Sequence, residues 1–224
     1  MEASAQLDRI LSIAMTVAMV AAAGVMVERR VNSPASARAI ATYTYVSSWQ
    51  ASLAKAGAPL NGADRPVSIA IFTDFQCPFC RQLDSIASTL DTKYPGKLRQ
   101  IIVHFPLPFH AQAEAAATAF ECAARQGRSA AMSSILFAAQ PSLSAAKWPG
   151  LATSAGVPDT AEHRQCMTRV DSRDRITAGL ELGRKLAVTG TPTVMINGWL
   201  LNPTDPEQFM KAVGRAVAGK SPKP

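Results

Sequence analysis

The sequence predicts an α/β protein with a long helical insertion and an apolar helix ahead of the folded domain, and three observations carry that prediction. Short apolar runs at Val67–Phe72, Ile101–Val103 and Val194–Ile196 have the length and β-branched content of buried strands, and the first leads straight into a segment of helical period. Between the second and third runs, residues 110–188 hold hardly any strand signal and much alanine. Near the start, Ile10 to Val27 is free of charge.

The 224 residues, 48% of them hydrophobic, suffice for one compact domain and an appendage. Ile10–Val27 just reaches the length of a bilayer-spanning helix. Ala21-Ala22-Ala23 offers the competing reading of a cleaved signal peptide. The run exceeds a usual signal core, however, and Glu2 and Asp8 outnumber Arg9 before it, so residues 1–31 are read as an uncleaved single-pass membrane anchor. Arg29, Arg30 and Arg38 follow the span, which by charge bias alone would keep the rest of the chain in the cytoplasm. Against this stand Cys122 and Cys166, which belong to no C-x-x-C. Their simplest use is a structural disulfide, and such a bond persists in an oxidising compartment; two unpaired core thiols are the alternative. The folded domain is therefore expected on the extracytoplasmic, periplasmic side of the cell membrane.

Residues 32–64 read as a juxtamembrane helix and linker. Ser33-Pro34 resembles a cap and first-turn proline opening a helix to about Lys55, with Ile40, Tyr43, Val46, Trp49 and Leu53 on one side to pack on the main domain. Gly57 to Arg65 supplies turn residues, and the domain is expected over 65–219, with the insertion at about 110–188 and a tail at 220–224.

The chemistry gathers at Phe72-Thr73-Asp74-Phe75-Gln76-Cys77-Pro78-Phe79-Cys80. Leu83, Ile86, Ala87 and Leu90 follow at helical spacing, so the C-x-x-C sits on a strand-to-helix junction. Pro78 suits the first helical turn, which places Cys77 at the N-cap and Cys80 one turn inside. Unpaired backbone N–H groups and the positive end of the helix dipole favour thiolate there. Cys77 is thus the expected exposed nucleophile, and Cys80 the shielded thiol that resolves its mixed disulfides. A zinc site needs further ligands, and neither the two lone cysteines nor His104, His110 and His163 form a ligand-spaced pair. Asp74 is weighed between a proton relay and a turn cap, with the cap favoured; His110 is expected to open a helix or sit in the core.

Lys97–Phe105 is the second strand, stopped by Pro106 and Pro108. Helices are expected at Ala115–Ala124, Met132–Ala139 and Thr177–Leu186. Gly190-Thr191-Pro192-Thr193 then leads the third strand. Asn197-Gly198 predicts a two-residue hairpin to Trp199-Leu200-Leu201, and Asp205–Ala218 is a closing helix ended by Gly219. The formal charge of +7 is spread without a basic motif. It reads as a solvated surface that suits acidic partners or anionic lipid heads, and not as a nucleic-acid site.

Asp74 to Cys80, Pro106-Leu107 with His110, and Gly190-Thr191-Pro192-Thr193 through Ile196-Asn197-Gly198 together resemble the DsbA-like thiol:disulfide oxidoreductases of the thioredoxin superfamily. The resemblance spans about Pro66 to Val217 and implies a thioredoxin fold, a central mixed sheet flanked by helices with a helical domain inserted. It also implies that Pro192 is a cis-proline facing the cysteines, and that Thr191, Pro78 and Phe79 contact substrate. It implies no metal or organic cofactor. Implied partners are cysteine-containing exported proteins and a membrane redox partner that recycles the dithiol. Many oxidases of the family carry histidine where this chain has Phe79, which can neither hold charge nor donate; a milder oxidant is implied. Reductase or isomerase activity on the same fold, or a metal-delivery module using Cys77 and Cys80, are the alternatives.

Overall fold

The computed structural model describes residues 42–62, 65–202 and 205–224. The expected anchor lies outside these residues; among the described ones, no helix is long and apolar enough to cross a membrane. Residues 41–224 form one compact unit. Its strands are β1 (Thr42–Tyr45), β2 (Gly57–Pro59), β3 (Val67–Thr73), β4 (Leu98–His104), β5 (Thr193–Ile196) and β6 (Trp199–Asn202). The helices are α1 (Trp49–Ala56), α2 (Pro78–Lys93), α3 (Ala113–Ala124), α4 (Ser129–Ala139), α5 (Trp148–Ser154), α6 (Thr160–Cys166), α7 (Asp174–Lys185) and α8 (Pro206–Val217).

The six strands make one mixed sheet in the order β1-β6-β5-β3-β4-β2. β3 and β4 run parallel, joined across α2, while β5 is antiparallel to both β3 and β6. All seven residues of β3 are buried, as expected for a central strand covered on both faces. Alternation splits its side chains. Val67, Ile69 and Ile71 join Val194, Ile196 and Leu201 under α2 and α8, through Leu83, Leu90, Phe209 and Val213. Ala70 and Phe72 join Ile101, Val103, Met195 and Leu200 under α1 and α7, through Leu53, Ala178 and Leu182. Asn197 (φ 46°) and Gly198 (φ 84°) turn β5 into β6, as the hairpin signal predicts.

The first described residues depart from the expectation, while the expected helix start at Ser33-Pro34 lies outside them. Residues 42–45 are not helical but an edge strand, with Thr42 facing Asn202 and Tyr45 facing Trp199 across β6. Thr-Tyr-Thr-Tyr alternates with period two and is β-branched or aromatic throughout, which favours a pleated strand over a helix. Gly57–Pro59 is likewise no linker, since it pairs antiparallel with Val103–Ile101 of β4. The sheet therefore recruits residues well before Arg65. The expected apolar stripe still packs on the main domain, with Leu53 in the core and Val46 and Trp49 against it.

Between β4 and β5 the chain forms five helices, α3 to α7, of which α5 and α6 lie beyond the three helical segments named from the sequence. Phe120, Met132, Leu136, Phe137 and Trp148 build their own core, closed on the sheet side by Phe75, Ile102 and the two cysteines of the motif. Cys122 of α3 and Cys166 of α6 are joined by a disulfide, with Cα atoms 5.7 Å apart. A buried polar cluster fastens the insertion to β4. His104 Nε2 lies 2.8 Å from Glu121 Oε1, and Arg175 reaches the other carboxylate oxygen from α7. Burial pushes the Glu121 carboxyl up, but His104 and Arg175 outweigh it and hold the pKa below the ordinary value.

Candidate active site

α2 starts where the sequence places it. Cys77 is the N-cap in extended backbone (φ −75°, ψ 118°), and Pro78 occupies the first turn, where its missing N–H leaves no helix bond unmade. Cys77 O accepts the first helical bonds, from Cys80 N at 3.1 Å and Arg81 N at 3.3 Å. Both thiols are free. Cys77 is not the exposed member of the pair, since it is 3% accessible against 2% for Cys80. Both sulfurs lie under the insertion, so exposure does not distinguish them.

Hydrogen bonding does. The Cys77 pKa is lowered from 9.0 to about 6, first by the Cys80 side chain. Burial opposes this, and the Thr191 hydroxyl and the backbone N–H groups of Cys80 and Phe79 assist. Thr191 Oγ1 is shielded and has no hydrogen-bond partner among the described residues, so its help is smaller than that of Cys80. The Cys80 pKa is raised well above 9.0, by burial first and then by Cys77 as hydrogen-bond partner and as charge. At neutral pH the geometry gives one thiolate at the helix start and one thiol below it.

Opposite the pair, the Thr191–Pro192 peptide is cis, and the Cys77 thiol donates to Thr191 O at 3.3 Å. The structure thus brings Cys77, Cys80, Pro78, Thr191 and Pro192 together. Phe79 faces outward, 65% exposed, over an open groove along α2 lined by Pro78, Arg81, Gln82, Ser85 and Ile86. The Cys122–Cys166 bridge belongs to the insertion.

The turn into the motif rests on side chains that spacing does not reveal. Asp74 is buried, and its carboxylate accepts from Gln76 N (2.7 Å) and Leu107 N (2.8 Å) and lies 2.7 Å from His110 Nδ1. It is a cap, as favoured, and also the clasp that draws the 105–110 loop to the motif. His110 neither sits in the core nor opens a helix, because α3 begins at Ala113. Gln76 Oε1 accepts from Gln112 N. Gln140, just past α4, donates Nε2 to Phe75 O at 2.9 Å and to Cys77 O at 2.8 Å.

Fold and site together define a thioredoxin-fold protein that carries a C-x-x-C dithiol at a helix start, opposite a cis-proline. A family model described as Thioredoxin matches residues 61–215, and the chain belongs to that family. In fold it is DsbA-like. It superposes on oxidised BdbD from Bacillus subtilis with a TM-score of 0.64 at 19% identity, covering 80% of this chain and 99% of the other. For the thiol-disulfide exchange protein alpha-DsbA2 from Wolbachia pipientis the values are 0.62 and 18%, over 75% and 91%. For Proteus mirabilis ScsC in a transitional conformation they are 0.63 and 21%, over 97% and 94%. Among curated proteins it is 31% identical over 136 residues to Na(+)/H(+) antiporter NhaA 3 of Salinispora tropica, covering 60% of this chain and 21% of that protein. It is 30% identical over 163 residues to Na(+)/H(+) antiporter NhaA 1 of Salinispora arenicola, covering 72% and 25%. The chain thus spans a quarter or less of the length of these relatives.

Proposed function

We propose that the chain is a thiol:disulfide oxidoreductase, anchored to the cell membrane by residues 1–31 with its catalytic domain outside the cytoplasm, that introduces disulfides into exported proteins. One observation carries the reading: within one C-x-x-C, Cys77 is stabilised as thiolate while Cys80 is held as thiol, beneath a cis-proline. In the oxidising direction a substrate thiolate attacks Cys77 Sγ of the Cys77–Cys80 disulfide, and Cys80 leaves and takes up a proton. A second substrate thiol, giving up its proton, attacks the mixed disulfide and expels the Cys77 thiolate. The two electrons pass from substrate to dithiol, and a membrane redox partner removes them. The low pKa of Cys77 makes it a good leaving group in the second step. Thr191 and Pro192 present backbone to an extended substrate peptide, a mode of recognition tolerant of sequence, while Pro78 and Phe79 offer apolar contact.

In the reducing direction Cys77 attacks and Cys80 resolves. The Cys80→Ala protein is therefore expected to trap mixed disulfides with substrates, and Cys77→Ala to form none; capture through Cys80 in the latter would reverse the roles. Equilibration of the full chain with glutathione buffers is expected to give a potential between roughly −120 and −230 mV. A value near −270 mV, the thioredoxin end of the scale, would make the protein a reductase. The metal-delivery rival has two thiol ligands, and among the described residues no group of three or more His, Cys, Asp or Glu side chains is placed to hold an ion. Stoichiometric metal on protein purified under reducing conditions would nevertheless favour it.

A further inference from the structure

We propose that Gln140, contributed by the inserted helices, is a positioning residue for the dithiol and sets its redox equilibrium; the inference rests on the exchange reading above. Gln140 is buried and 63 residues from Cys77 in sequence, yet both carbonyls that its Nε2 meets belong to the motif turn, Phe75 O at 2.9 Å and Cys77 O at 2.8 Å. A primary amide nitrogen has two hydrogens, and here both are committed to that one turn. Cys77 O is also the acceptor for Cys80 N and Arg81 N, so the amide fixes the orientation of the carbonyl from which α2 begins.

Two consequences follow for the sulfur. Holding Cys77 O fixes the peptide plane between Cys77 and Pro78, and with it the direction of the Phe79 and Cys80 N–H groups that stabilise the thiolate. Donating to two carbonyls also offsets partial negative charge beside an anion in a site from which water is largely excluded, where such interactions are strongest. The disulfide form carries no such anion. An interaction that favours the thiolate therefore favours the reduced state and makes the protein more oxidising.

Asp74 and Gln76 also hold the turn, but they use its N–H groups and the neighbouring loop. Of these side chains, Gln140 is the one that grips the carbonyl of the nucleophile itself.

The test is the full chain carrying Gln140→Met, which keeps the length without the donors, or Gln140→Glu, which puts an acceptor where two donors stood. Expected for both is a Cys77 thiolate titration, followed by absorbance at 240 nm, displaced upward by about one unit or more. The equilibrium with glutathione should move toward the disulfide by at least tenfold, about 30 mV for this couple. Gln140→Glu is expected to shift more than Gln140→Met. A purely structural role would lower the melting temperature and leave both readouts in place. In the unsubstituted chain, the Gln140 side-chain amide protons should exchange slowly and shift between reduced and oxidised protein in nitrogen-15 spectra; this stands even if a variant does not fold. Folded variants with wild-type titration and equilibrium, or amide protons indifferent to redox state, would overturn the role of Gln140 alone. A wild-type chain that does not equilibrate with glutathione would sink the exchange reading and this inference with it.

Discussion

At the scale of single residues, two titrating groups behave oppositely and give separate predictions. The reduced protein should release the Cys77 proton near pH 6 and keep the Cys80 proton beyond pH 9, so a thiol titration should show one early step. Because the folded pKa of Cys77 lies below that of an unfolded cysteine, it stabilises the reduced fold above about pH 9, and that contribution fades as pH falls through about 6. Asp84 runs the other way. It lines a cavity of about 210 Å³ with Ser88, Asp91, Gln100 and Ser133, has no ion-pair partner among the described residues, and is pushed by burial from 3.8 to about 6. Below pH 3.8 its carboxyl is protonated folded and unfolded alike. Between 3.8 and 6 the unfolded chain loses the proton first, so the fold is weakened increasingly up to about pH 6 and by a constant amount above. Asp84→Asn should raise stability at pH 7 by on the order of 1 to 3 kcal/mol and leave it unchanged near pH 3.5; equal gains at both pH values would count against the assignment. The cysteines were legible because C-x-x-C has few other uses. Gln140, Gln76 and the clasp of Asp74 on His110 were not, since a side chain that bonds to a group far away in sequence leaves no periodic trace.

Among the elements, those with one strong signal were legible and those set by a partner were not. α2, the β5–β6 hairpin and α8, capped by Asp205, each have a proline, an Asn-Gly or an apolar period behind them. β1 and β2 are strands because β6 and β4 have free edges to pair with, a tertiary cause that overrides a plausible helical stripe. The approach of α7 to β4 is equally invisible from the sequence: a Cβ added at Gly179 would lie 2.3 Å from His104 O, and one at Gly183 2.3 Å from the Phe105 ring. Backbone cannot yield as a side-chain tip can. Gly179→Ala should therefore cost about 1 to 3 kcal/mol or more, as overpacking does, whereas Gly150→Ala, with nothing within 4 Å, should be near neutral. Similar denaturation midpoints for the two would mean that α7 stands further from the sheet. Leu53→Ala in α1 should cost about 2 to 5 kcal/mol, a loss that a linker outside the domain would not show.

Across the whole molecule, the dithiol sits where two cores meet, and each contributes something different to it. The sheet side supplies the helix start and the Thr191–Pro192 loop, both legible from short motifs. The insertion supplies the cover that shields the sulfurs and, through Gln140, the grip on the turn; its helical nature was legible, its contacts were not. The Cys122–Cys166 bridge ties α3 to α6 within that cover, 44 residues apart in sequence. Closing a loop of this size restrains the unfolded chain and is worth about 2 to 4 kcal/mol. A Cys122→Ser, Cys166→Ser double variant should accordingly lose about that much in denaturant unfolding, and melt about 4 to 16 °C lower at roughly 2 to 4 °C per kcal/mol for a domain of this size. Substitution isolates the effect, because a chemical reductant would open Cys77–Cys80 as well. The groups that bond the Cys77 sulfur come from α2 and Thr191, and Gln140, which orients them, follows α4; none of these lies on α3 or α6, so the folded variant should still titrate near pH 6. An unchanged midpoint would show that the helices hold together without the bond. A lost thiolate in a folded variant would show that the bridge, and not packing alone, holds the cover over the dithiol.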